Sequence, residues 1–79
     1  MHKQISICFF GQLTDITQCN TLAIDNPGTV SLLQNLLVRQ YPNLSHSKYT
    51  IAINNKMVIE DQPIPENAII ALMPPFSGG

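Results

Sequence analysis

Residues 68–73, Ala-Ile-Ile-Ala-Leu-Met, form an unbroken apolar run that stops at Pro74 and Pro75. Each proline lacks the N–H that a strand ladder needs, so the run reads as a strand ended by its two prolines. A strand that is apolar on both faces belongs at the centre of a sheet, or has its outer face against a partner. The chain has 79 residues, enough for one domain held by one small core. That core must form around this strand.

Apolar residues make up 44% of the chain, near the globular average, which excludes a disordered segment. Charged residues make up 11% and only four are Lys or Arg, so no basic patch exists for nucleic acid. No apolar run approaches the length of a membrane span, and Met1-His2-Lys3-Gln4-Ile5 lacks the features of a signal peptide. A cytoplasmic location is the expectation. Two cysteines, Cys8 and Cys19, are too few for a disulfide scaffold. His2 and His46 share no ligand spacing with them, so no metal site is expected.

Period-two alternation over residues 4–10 predicts a first strand with Ile5, Ile7 and Phe9 on one side and Ser6, Cys8 and Phe10 on the other. Gly11 breaks it. Residues 18–25 alternate again, with Leu22 and Ile24 apolar. A loose hairpin pairs Ile7 with Leu22, Ile5 with Ile24 and Cys8 with Thr21. Cys8 and Cys19 then share the outer face as diagonal neighbours about 7–8 Å apart, long for a disulfide. Asn26-Pro27-Gly28 is a turn, and Thr29 is a suitable N-cap. Val30, Leu33 and Leu37, with Leu36 beside them, fall on one helical stripe that Pro42 terminates near Gln40 or Tyr41. Residues 43–48 read as polar loop. Residues 49–53 and 56–59 read as strands joined by an Asn54-Asn55 turn, because asparagine tolerates positive φ. Residues 60–67 read as a connection.

The order β-β-α-β-β-β, with the last strand beside the first and a right-handed crossover, predicts an α+β β-grasp (ubiquitin-like) fold. It has a mixed sheet of about five strands and one main helix on one face. A plain antiparallel meander fits the same elements. Ile70 and Leu72 then face the helix, and Ile69, Ala71 and Met73 face outward as an apolar strip that marks a partner site. A loop, or Phe10 with the Tyr49 region, is the alternative cover for that strip. The domain spans residues 1–73, and residues 74–79, Pro-Pro-Phe-Ser-Gly-Gly, form an extended flexible tail. On spacing alone, Gly78-Gly79 is equally an inert chain end.

The chain resembles the small subunit of molybdopterin synthase, a ubiquitin-like sulfur carrier of the MoaD type. The resemblance lies in Phe9-Phe10-Gly11-Gln12-Leu13, in the Thr29-Val30 helix start, in Ala52-Ile53-Asn54 and in Pro74-Pro75-Phe76-Ser77-Gly78-Gly79. Ile69 stands where the family often has an acidic residue, and Met73 where it often has phenylalanine. The resemblance implies that Gly79 carries the reacting carboxylate. A carboxylate with a pKa near 3.5 is anionic at neutral pH and a poor electrophile, so it must be activated. A partner resembling the ubiquitin-activating adenylyltransferases would join it to AMP from ATP, and a sulfur donor would displace AMP to leave a thiocarboxylate. That sulfur would pass to the pterin precursor of the molybdenum cofactor, in a 2:2 assembly with the synthase large subunit.

The chain itself would bind no cofactor and hold no self-contained active site. Gly78 and Gly79 lack Cβ atoms and suit a narrow channel, with the small Ser77 behind them. Pro74 and Pro75 project the tail and restrict it in advance of binding. Ordering six residues costs on the order of 6–12 kcal/mol, so that restriction matters. Phe76 is the large side chain available to anchor the tail, and joins Ile69, Ala71 and Met73 in the expected interface. Carriers for thiazole synthesis share the fold and the Gly-Gly end but usually lack the double proline. A protein modifier joined to lysines through Gly79 is a further alternative. The cysteines read as structural, since neither has a His or Lys neighbour suited to lowering a thiol pKa.

Overall fold

The computed structural model describes residues 3–75. The elements run β1 (Gln4–Phe9), α1 (Leu13–Thr17), β2 (Thr21–Asp25), α2 (Val30–Gln40), a 3-10 turn (Pro42–His46), β3 (Thr50–Ile53), β4 (Lys56–Met57) and β5 (Ile69–Met73). They build one mixed sheet in the order β2-β1-β5-β3-β4. β5 runs parallel to β1 and antiparallel to β3, which places it at the centre and excludes the meander. β1 and β2 pair in the expected register, Ile7 with Leu22 and Cys8 with Thr21.

One face of the sheet carries the core. Ile5, Ile7, Phe9, Ile51, Ile53, Ile70 and Leu72 are buried there with Val30, Leu33 and Leu37 of α2. Thr29 caps α2 as expected, its side chain accepting from the Leu32 N–H at 3.3 Å. The connection to β5 crosses the start of α2. The Val30 N–H donates to the Gln62 carbonyl at 3.0 Å, and Ile64 is buried beneath it. Asn26 holds the same segment, its side-chain amide donating to the Ile64 carbonyl at 2.9 Å.

Asn54 and Asn55 both take positive φ, 49° and 72°, and close the β3–β4 hairpin. Asn54 also fixes β5. Its N–H donates to the Ile69 carbonyl, and its Oδ1 accepts from the Ile69 N–H, each at 2.9 Å.

Five expectations are corrected. The β1–β2 connection holds α1 rather than an open loop, because Leu13, Ile16 and Thr17 put apolar surface on one side of a single turn and a half. Gln18, left-handed at φ 62°, ends α1 and turns the chain, so β2 starts at Thr21 and alternation does not reach back to Cys19. Cys19 therefore packs against the core rather than beside Cys8 on the outer face. Residues 42–46 are a 3-10 turn rather than part of a polar loop, since Leu44 must be buried beneath α2. β4 stops at Met57, two residues short of the expected end. Val58 still donates to the Ile51 carbonyl at 2.8 Å, and Ile59 then projects into solvent.

Candidate functional site

Among the described residues, no helix covers the opposite face of the sheet. The strand registers place Thr21, Cys8, Ala71, Ala52 and Met57 in one row across all five strands. Ser6 and Ile69 lie in the row on one side, and Met73 and Thr50 in the row on the other. No charged residue occupies this face over β1, β3 or β5. Ile69 is 57% exposed, and Met57 and Phe10 are each 49% exposed. Ala71 and Met73 are half-buried, and Ala52, between Ala71 and Met57, is nearly covered at 6%. Phe10 and the Tyr49 region therefore leave the strip open at Ile69. Isolated exposed apolar residues are ordinary, but Ile69 and Met57 lie on the face that also holds Ala71 and Met73, and Phe10 follows β1 at the end where Met73 lies, so this face is an apolar patch.

This patch leads into the root of the tail. β5 ends at Met73 and the chain passes into Pro74, half-buried, and Pro75, exposed. The Phe10 N–H donates to the Leu72 carbonyl at 3.0 Å, and the Thr50 hydroxyl to the Met73 carbonyl at 3.4 Å. The expected reactive end, Gly79, and the expected threading residues Phe76, Ser77 and Gly78 lie outside the described residues. The structure thus brings Ile69, Ala71 and Met73 onto one face beside Pro74, with Met57 and Phe10 joining them. Met57 is not among the residues expected in this interface. Its signal was the Asn-Asn hairpin, which fixes Met57 opposite Ala52.

Elsewhere, several polar groups have structural partners. The Tyr41 phenol is held above its ordinary pKa, first by burial and then by the Cys19 thiol beside it. Its ring meets that of Phe9 edge-on at 6.3 Å between centroids. A surface cleft of about 290 Å³ beside the start of α2 includes Ser31, Gln34, Glu60 and Asp61. Asp61 acts there as a cap, accepting from the Ser31 N–H at 2.9 Å, and that bond holds its carboxyl below the ordinary value. Both cysteines are free thiols, half-buried. Among the described residues no cluster of three His, Cys, Asp or Glu side chains is placed to hold a metal. Among the same residues no helix is long and apolar enough to cross a membrane.

A single long helix gripped by a five-stranded sheet, with β5 parallel to β1 at its centre, defines a β-grasp protein of the ubiquitin-like class. Residues 7–79 match the ThiS family, and the chain belongs to that family. Its fold is that of the ThiS/MoaD-type ubiquitin-like sulfur carriers.

The solved structures similar over almost the whole chain include the following three. One is a protein from Pyrococcus furiosus assigned as molybdopterin converting factor subunit 1, 13% identical, with a TM-score of 0.84. The match covers 92% of this chain and 98% of that one. The small archaeal modifier protein 1 of Haloferax volcanii is 19% identical, with a TM-score of 0.77 over the same shares of the two chains, 92% and 98%. The third belongs to a complex of subunits 1 and 2 of the molybdopterin-converting factor from Helicobacter pylori. It is 20% identical, with a TM-score of 0.72, over 96% of this chain and 99% of that one.

Proposed function

We propose that this chain is a sulfur carrier serving as the small subunit of molybdopterin synthase, with the carboxylate of Gly79 as its reactive group. The observation that carries the reading is the continuity of the apolar β5 face with the proline-stiffened root of a tail ending in Gly-Gly. A partner covering Ile69, Ala71, Met73, Met57 and Phe10 receives the tail in the same encounter. The subunit pairing in the Helicobacter pylori complex supports a large-subunit partner, assembling here as a 2:2 heterotetramer.

The chemistry follows from what a carboxylate lacks. An adenylyltransferase joins it to AMP from ATP and releases pyrophosphate. A sulfur nucleophile attacks the acyl carbon and AMP leaves with the oxygen. The product is a thiocarboxylate, whose sulfur then reaches the pterin precursor. The carrier supplies the acyl group, the docking face and the aim of the tail. ATP binds to the activating partner.

Incubation of the full chain with ATP, the activating enzyme and sulfide should raise its mass by the exchange of one oxygen for sulfur. Deleting Gly79, or adding an alanine after it, should abolish that change in a folded chain. An extended variant that forms thiocarboxylate without being trimmed would refute Gly79 as the acceptor. The likeness to small archaeal modifier proteins favours a second reading, attachment to other proteins through Gly79. Gly79-linked isopeptides in place of sulfur transfer to a pterin would establish it.

A further inference from the structure

Gly11 lies where β1 gives way to α1, with φ at +60°. A Cβ built there would sit 2.8 Å from Cγ of Pro74 and 3.3 Å from its Cδ. Carbon atoms in contact settle at about 3.5–4.0 Å, so a side chain at position 11 and Pro74 in its present place exclude each other. Positive φ is not by itself the reason for glycine. Gln18, Asn54, Asn55 and Asn67 all take positive φ in this chain with side chains in place. At position 11 the additional demand comes from the proline ring.

The seat is itself rigidly tied. The Gly11 carbonyl accepts from the Thr14 N–H at 3.1 Å and from the Thr14 hydroxyl at 2.8 Å, which joins it to the first turn of α1. The residues leading into Pro74 are held on both sides, Leu72 by Phe10 and Met73 by Thr50. Proline's ring fixes φ, and the Pro75 that follows confines ψ of Pro74 to the extended range, so holding the ring limits the direction of the peptide that follows.

We propose that Gly11 is a positioning residue: the β1–α1 turn seats Pro74 and sets the direction in which the tail leaves the sheet face. The functional half rests on the carrier reading above, because aim matters only if the tail must enter a partner's reaction site while the face is docked.

The test uses the full chain carrying Gly11→Ala, Pro74→Ala or both, with ATP, the activating enzyme and sulfide. Gly11→Ala is expected to lower kcat by at least about tenfold while KM for the carrier stays within about threefold, since the docking face is untouched. Pro74→Ala removes the clashing Cγ and Cδ. It should lower turnover on the wild-type background yet raise that of Gly11→Ala by about fivefold or more. Backbone strain or lower stability alone would not be relieved by trimming residue 74. Gly11→Asn, which suits positive φ, should show the same loss and serves if Gly11→Ala melts below the assay temperature.

A folded Gly11→Ala or Gly11→Asn chain with wild-type kcat overturns the proposal, as does failure of Pro74→Ala to rescue. A second readout is independent of activity. A nuclear Overhauser contact between Gly11 Hα and the Pro74 ring is expected in the wild type, and its absence overturns the seat. A wild type that shows the contact but never forms thiocarboxylate upholds the seat and overturns the carrier reading, together with the functional half of this proposal.

Discussion

Ile69 and Ile70 are adjacent in β5 and face opposite sides of the sheet, so paired substitutions separate folding from docking. Ile70 is fully buried and pairs with Ile7 on one side and Ile53 on the other, both buried. Truncating buried Ile to Ala costs about 2–5 kcal/mol, according to how far the site collapses. The ladders on both sides of Ile70 limit collapse, which places Ile70→Ala at about 3–4 kcal/mol. A domain of this size holds on the order of 4–12 kcal/mol in all, so the loss is about a quarter or more of its stability. The melting temperature should fall by about 12–30 °C. Ile69 is 57% exposed and its N–H is already satisfied by Asn54, so Ile69→Asp forfeits less than half of a burial worth about 1.5–3 kcal/mol. It should stay within about 1 kcal/mol of wild type in urea unfolding followed by circular dichroism. Against the synthase large subunit the same substitution should weaken binding by at least about 2 kcal/mol, roughly thirtyfold, by placing an unpaired charge in the interface. If Ile69→Asp unfolds as readily as Ile70→Ala, the strip is covered within the chain. If it binds with wild-type affinity by calorimetry, the interface lies elsewhere.

A Cys8→Ser, Cys19→Ser double variant should still form thiocarboxylate, because the proposed chemistry needs only an acyl terminus and an external donor. Loss of the mass change in a folded variant would reassign the thiols. Its stability should fall by up to about 1–3 kcal/mol, chiefly at Cys19, where the hydroxyl replaces a thiol packed on the core beside Tyr41. Asn54→Ala should cost about 1–3 kcal/mol in urea unfolding, since it unpairs the Ile69 N–H and puts a less suited residue at φ 49°. Asn54→Gly should fall between it and wild type, and equal effects would show that the backbone plays no part. Asp61 has its carboxyl pKa lowered chiefly by the Ser31 N–H, so its contribution is present above the unfolded value near 3.9 and is lost as pH falls through the folded value. The melting-temperature gap between wild type and Asp61→Asn should therefore close between about pH 5 and pH 2, and a constant gap would contradict the capping role.

What could be read from the sequence was whatever a short-range rule fixes. Alternation placed Ile5, Ile7 and Phe9 inward and gave the β1–β2 register, because a slip by one residue would turn each of these outward. The Thr29 cap and Pro42 bracketed α2 at its observed ends. Double apolarity of residues 68–73 put β5 at the centre. The misreadings fall where tertiary contacts override local composition. Leu13, Ile16 and Thr17 form α1 only because β1 and the 3-10 turn offer them a surface, and Leu44 pulls a polar segment into a 3-10 turn for the same reason. Cys19 is not where alternation puts it because the alternation extends back beyond the start of β2 at Thr21, to the left-handed Gln18 that ends α1. The contact between Gly11 and Pro74 joins positions 63 residues apart, and no local pattern marks it.

That contact bears on what a carrier of this size has to specify. On the proposed reading the reacting groups of the partners do the chemistry, and the chain must deliver one acyl carbon to more than one of them. Delivery has two parts, a face that docks and an angle at which the tail departs from it. Residues 75–79 can reach at most about 17 Å when extended. A rotation of about 10° at Pro74 would then move the end by about 3 Å, well beyond the roughly 0.5 Å within which a reacting group must be held. Contacts within the partner's channel can correct part of that error, but only after the first residues have entered. Pinning Leu72 through Phe10, Met73 through Thr50 and the Pro74 ring against Gly11 fixes the departure angle before the encounter. It fixes it relative to the strand that carries Ile69, Ala71 and Met73, so the two parts of delivery are set by one rigid element. On this view a substitution that leaves both β5 and its exposed side chains intact can still disable transfer, and position 11 is where that separation can be seen.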